Sequence, residues 1–138
     1  MTAVSKYRLL FLRAVYALLA IGMGSIMWPA IITRSGDWSL MPGVVKCMLG
    51  AMTLLALLGI RYPLKMLPLL FWEMAWKVIW LLAVALPAWQ SEAMDNDTLQ
   101  TAIEAGVVIL VFAAVPWRYV FAHYIKAESD KAMKAAAA

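Results

Sequence analysis

Long apolar runs, separated by short polar stretches, make up almost the whole chain. Four runs stand out, over about residues 9–32, 39–60, 66–89 and 99–121. Each is long enough to cross a ~30 Å hydrocarbon core as a helix rising about 1.5 Å per residue. The separators have turn chemistry. The first carries Ser35-Gly36-Asp37, residues that turn a chain through positive φ or local hydrogen bonds. The second is Arg61-Tyr62-Pro63-Leu64-Lys65, where Pro63 pushes Tyr62 out of helical backbone. The third, QSEAMDNDT over 90–98, is polar and acidic, and Asp97 or Thr98 is placed to cap the fourth helix. Short connections make successive helices antiparallel. The pattern therefore predicts an all-α, integral membrane four-helix bundle, up-down-up-down, with one domain spanning residues 1–138 and no internal repeat. The first run follows a basic start, but it is too long for a signal peptide and no small-x-small cleavage site follows, so it is expected to be retained as a span.

Composition narrows the class. Hydrophobic residues are 65% of the 138 and charged residues 14%, against roughly 45–50% and ~25% in soluble domains. A soluble fold this small has too much surface for its volume to hide so many apolar side chains. Disorder needs the opposite composition, and a single cysteine builds no disulfide scaffold.

Charge then sets an expected orientation. Lys6, Arg8, Arg13, Arg61, Lys65, Arg118, Lys126, Lys131 and Lys134 fall on one side of the four-span layout, and only Arg34 falls on the other, with Lys46 and Lys77 inside spans. Asp37, Glu92, Asp95 and Asp97 mark the opposite side. The positive-inside rule puts the basic side, and with it both termini, in the cytoplasm. The net charge of +4 is thus a topological label, not a nucleic-acid signature, and the basic ends can also touch anionic headgroups. Trp28, Trp38 and Trp89 form an expected outer aromatic belt, and Tyr7, Tyr62, Trp117, Tyr119 and Tyr124 an inner one.

Charges deep in a span are the candidate functional groups, since each costs ~2.5–3.5 kcal/mol to insert. Glu73 and Lys77 stand i, i+4 in the third run with the acid N-terminal, the favourable order for an intrahelical pair. They lie roughly 12 and 18 Å above Lys65 along the helix. Trp72, Trp76 and Trp80 form a parallel stripe. One reading is a proton or substrate site walled by indoles, which can also hold a cation; the other is a self-neutralising structural pair. Lys46 and Glu104 come to similar heights and either bridge or snorkel separately. Arg13 either snorkels to the cytoplasmic face or reaches Glu73. Ala20-x-x-x-Gly24, Gly43-x-x-x-Cys47 and Ala102-x-x-x-Gly106 are expected close-contact points between helices. Pro29, Pro42, Pro87 and Pro116 sit near span ends, where a lost backbone hydrogen bond costs little. Past 121 the fourth helix is expected to continue into the cytoplasm, or to bend onto the surface, to about residue 134.

Soluble-site chemistry is missing. One His (His123) and one Cys (Cys47) build no haem, zinc or iron–sulfur centre within one chain. Cys47 is expected to be a small packed residue. No P-loop, GxGxxG, GxSxG or HExxH occurs. The expectation is no catalytic residue, metal or cofactor.

The runs GVVKCMLGA over 43–51, RYPLKMLP over 61–68 and EMAWK over 73–77 resemble small bacterial four-span proteins of unassigned function. In size and hydropathy the chain is also similar to DoxX-like membrane proteins, a likeness that implies fold and a bacterial inner membrane but carries over no residue. Three functions follow as expectations. The first is a non-enzymatic accessory or structural subunit that packs with membrane lipids, partner membrane helices or itself. The second is a small proton-coupled transporter or channel using Glu73 and Lys77. The third is a lipid- or quinone-binding helper of a redox chain.

Overall fold

The computed structural model describes residues 4–126. Lys131, Lys134 and the expected helical extension beyond 126 lie outside them. The described residues are helical, with no strand among them. Four helices are long and apolar enough to cross a membrane: α1 (Lys6–Thr33), α2 (Leu40–Arg61), α3 (Leu67–Gln90) and α4 (Asn96–Ala114). A shorter helix, α5, starts as Trp117–Val120 and continues as a π-helical turn, Phe121–Ile125.

Local chemistry sets the boundaries. The Ser5 hydroxyl accepts from the Arg8 amide at 3.2 Å and caps α1. At the far end of α1, Arg34 takes a left-handed backbone, φ 51, a conformation that commonly ends helices. Tyr62, ahead of Pro63, leaves helical backbone at φ −122, ψ 66 and ends α2. Pro68 sits in the first turn of α3, where its missing N–H leaves nothing unpaired. Asp95, and not Asp97 or Thr98, caps α4: its Oδ1 accepts from the Thr98 amide at 2.7 Å. Two π-helical turns interrupt the long helices, at Leu18–Met23 and Leu81–Ala85. The second directly precedes Pro87, and a widened turn there makes room for the proline ring against the preceding turn.

The fourth span differs from the expected one. It stops at Ala114 instead of running to 121, because Val115, forced out of helical backbone by Pro116, is extended at φ −64, ψ 126. The carbonyls freed at this break find donors. Arg8 Nη1 donates to Val115 O at 2.9 Å and to Ala113 O at 3.4 Å, and Trp117 Nε1 donates to Phe112 O at 2.9 Å. A guanidinium from the start of α1 thus closes the end of α4.

The same end collects further ties. The Tyr16 hydroxyl donates to Pro63 O at 2.8 Å, and the Tyr124 hydroxyl to Leu64 O at 3.3 Å. The starts of α1 and α3 and the ends of α2 and α4 therefore meet at one end, the basic end, as antiparallel neighbours require. The core is weighted toward it: Leu12, Val15 and Tyr16 of α1, Ala56 of α2, Leu67, Leu70 and Met74 of α3, and Val108, Val111 and Ala114 of α4. Toward the acidic end the helices pack in pairs, the Gly24–Thr33 half of α1 on α2 and the Asn96–Gly106 half of α4 on the π-helical turn of α3.

The α1–α2 contact depends on shape. Tyr16 is fully buried, and its ring lies against Gly59, where an added Cβ would overlap the ring. Higher up, Ile31 Cδ1 comes within 2.8 Å of a Cβ built on Gly50, and a Cβ built on Gly24 would stand 3.7 Å from Thr53. Trp28 is half-buried and donates to Thr53 Oγ1 at 2.9 Å, so it joins this contact. Of the three small-residue pairs, only Ala20 and Gly24, both buried, serve a helix contact. Gly43 is covered by Trp38 of its own loop, Cys47 is exposed and not packed, and nothing lies within 4 Å of a Cβ built on Gly106.

Two outcomes follow. Gly59→Ala should cost ~1–3 kcal/mol through overpacking, and Tyr16→Phe about 1 kcal/mol through the lost hydrogen bond, both read by unfolding in mixed micelles. At the α4 cap, hydrogen bonding to the Thr98 side chain and amide holds the Asp95 carboxyl below its usual range. A depressed value means that the cap is present above about pH 3.9 and is lost as pH falls through the lower folded value. Hydrogen exchange of the Thr98 amide should accelerate, relative to its intrinsic rate, only below that range.

Candidate functional site

The third span turns two charged groups, Glu73 and Lys77, into the interior. Leu70, Glu73, Met74 and Lys77 share one buried face of α3, while Trp72, Ala75 and Ile79 face outward. Glu73 is 0% exposed and Lys77 is 7%. Lys77 Nζ stands 2.5 Å from Glu73 Oε1, and Trp76 Nε1 donates to Glu73 Oε2 at 2.8 Å. The ammonium also lies 5.6 Å from the centre of the Trp76 ring, within cation–π range. All three side chains belong to one helix. The carboxylate is thus compensated on both oxygens by residues three and four positions further along, as their spacing predicts.

One oxygen is less complete than the other. Lys77 faces Oε1 as a charge contact, yet no hydrogen-bond donor is aligned with that oxygen. A buried carboxylate oxygen in this state has lone-pair capacity to spare.

The indole stripe divides by position. Trp76 binds the carboxylate. Trp72 is 39% exposed and touches the site only through its ring contact with Trp76, at 6.3 Å between centroids. Trp80 is half-buried one turn further on and makes no hydrogen bond among the described residues. The site therefore has one indole partner and not a three-indole wall.

The other expected charges stand apart from it. Lys46 and Glu104 do not bridge. Lys46 reaches the first loop, donates to Asp37 O and, at 3.4 Å, to Ser35 O, and lies 4.9 Å from the Trp38 ring centre. The loop can close around the ammonium because Gly36 adopts φ 83, which glycine takes without strain. Arg34 approaches the same ring at 4.9 Å. Glu104 is exposed and accepts from Gln100 Nε2 at 3.2 Å. The two charges thus have separate partners. Arg13 is exposed, and Glu73 is paired by Lys77, so Arg13 does not reach the carboxylate. Among the described residues no three His, Cys, Asp or Glu side chains are grouped to hold a metal ion.

Sequence reasoning missed Tyr16, Gly59 and Arg8. No pattern signals a tyrosine seated on a glycine 43 positions away; the only trace is a Gly in the last turn of a span. The Arg8 contact was within reach, because Pro116 implies freed carbonyls nearby.

Removing one member of the pair should hurt more than removing both. Lys77→Met leaves a buried, uncompensated carboxylate and is expected to cost ~3–5 kcal/mol, while Glu73→Gln/Lys77→Met should recover most of that. Unfolding of the three proteins in mixed micelles checks the order.

No protein-family model, curated protein or solved structure matches the chain. The likeness to DoxX-like proteins accordingly stands on size and hydropathy alone.

Proposed function

We propose that this chain is a non-enzymatic, multi-pass protein of a bacterial inner membrane, an accessory or structural subunit whose spans associate with partner membrane helices or with copies of itself. One observation carries the reading. Inside the bundle, the apolar windows of α1 to α4 are only 33%, 28%, 28% and 22% buried. Large side chains such as Ile21, Ile79, Leu82, Ile103 and Ile109 point away from the core. Most of each span is thus open to lipid or to further helices, and van der Waals packing of such faces is what drives association in a bilayer. The polar groups fit the same reading, since Glu73 is compensated within its own helix and sealed from the surface. The basic end belongs in the cytoplasm with both termini.

A second reading has one feature in its favour. Glu73 Oε1 lacks an aligned donor, which suits a carboxylate that takes up a proton in a small proton-coupled transporter.

Purification in nanodiscs with native mass spectrometry should recover the chain with another membrane protein or as a homo-oligomer, and Glu73→Gln/Lys77→Met should assemble equally well. A lone monomer in native lipid would contradict the packing role. Proton-driven flux in proteoliposomes that disappears in Glu73→Gln would favour the transporter instead.

A further inference from the structure

We infer that α5 lies in the plane of the membrane surface, with Trp117, Phe121 and Ile125 sunk among the headgroups of anionic lipids. This rests on the reading of α1 to α4 as membrane spans and adds a fifth, in-plane element to them.

The break at Val115 and Pro116 takes the chain out of the α4 axis, and several ties then fix the direction of α5. Trp117 donates to Phe112 O and stacks on the Phe112 ring at 6.0 Å. Arg8 clamps Val115 O. Tyr124 donates to Leu64 O and meets the Phe71 ring edge-on at 5.3 Å. Val120, which is buried, and Tyr124 thus form the side of α5 turned to the bundle.

The next line of side chains is open on its outer side. Trp117, Phe121 and Ile125, spaced i, i+4, i+8, are 38%, 50% and 64% exposed. Beside them, also eight residues apart, stand Arg118 and Lys126, both exposed. Around the helix the sequence runs from buried apolar, through open apolar, to cationic. That gradation is the chemistry of a helix lying at the boundary of acyl chains and headgroups.

Two observations make lipid the occupant. The open face continues the exposed flank of α4, because Phe112, 38% exposed, stacks on Trp117. Charge supplies the second. The basic end carries Lys6, Arg8, Arg13, Arg61, Lys65, Arg118 and Lys126, and among the described residues no exposed Asp or Glu stands with them. Such a surface is complementary to the anionic cytoplasmic leaflet.

Nitroxide labels test the placement in nanodiscs of phosphatidylcholine with phosphatidylglycerol. In a Cys47→Ser background, cysteines replace Phe121, Ile125, Arg118 and, as a span reference, Ile79. Collisions with oxygen report acyl chains, and collisions with a water-soluble nickel chelate report solvent. Labels at 121 and 125 should collide more with oxygen, the label at 118 more with nickel, and the depth at 121 should decrease in Arg118→Gln/Lys126→Gln. Nickel-dominated signals at 121 and 125, with oxygen dominant at 79, would overturn the inference and leave the spans standing. Low collision with both reagents at 121 would place a protein partner there and also overturn it. Nickel dominance at 79 would remove the spans and the inference together.

Discussion

A carboxylate inside an apolar layer has to bring its own compensation, and Glu73 does so within five residues of α3. Two isolated charges would each cost ~2.5–3.5 kcal/mol to insert in a bilayer; here they form a unit that is neutral as a whole, with Lys77 on one oxygen and the Trp76 N–H on the other. Because every partner sits on one helix, α3 needs no polar group from its neighbours. The remaining contacts between spans then need no ion pair and are governed by fit, as at Tyr16 over Gly59 and at Gly24 near Thr53. A pair built between two helices would instead have tied the packing to ion-pair geometry.

Backbone groups obey the same constraint. In hydrocarbon an unpaired carbonyl costs several kcal/mol, of order 4–8 in an alkane-like medium. The α4 break sits where Arg8 and Trp117 can reach the freed oxygens, at the basic end of the bundle. The basic end is accordingly the tied end of the molecule, joining all four spans. The acidic end is two hairpins held side by side, with Lys46 fastening the first loop. This division separates a fixed base from broad apolar flanks.

The four spans were legible because each carries its own signal: an apolar run of bilayer length and turn residues on either side. The Glu73–Lys77 pair was legible for a related reason, since i, i+4 spacing on one helix fixes contact without knowledge of the fold. What could not be read was whatever joined distant parts of the chain. Height along separate helices made Lys46 and Glu104 plausible partners, but height says nothing of azimuth, and the two point to different surroundings. The overrun of α4 to 121 came from hydropathy continuing across Pro116, where backbone sterics and not polarity ended the helix. The Trp28–Thr53 bond was equally hidden, because an indole near a span end can satisfy its N–H on a neighbouring helix as well as in solvent.

The central claim is that Glu73 is compensated by its own chain. Solid-state NMR measures this directly through the dipolar coupling between a ¹³C-labelled glutamate carboxyl and a ¹⁵N-labelled lysine ammonium in lipid, with Glu73→Gln as the blank. The account predicts a strong coupling when both labels are on one chain and none when singly labelled chains are mixed. A coupling seen in the mixed sample, or no coupling in either, would contradict it.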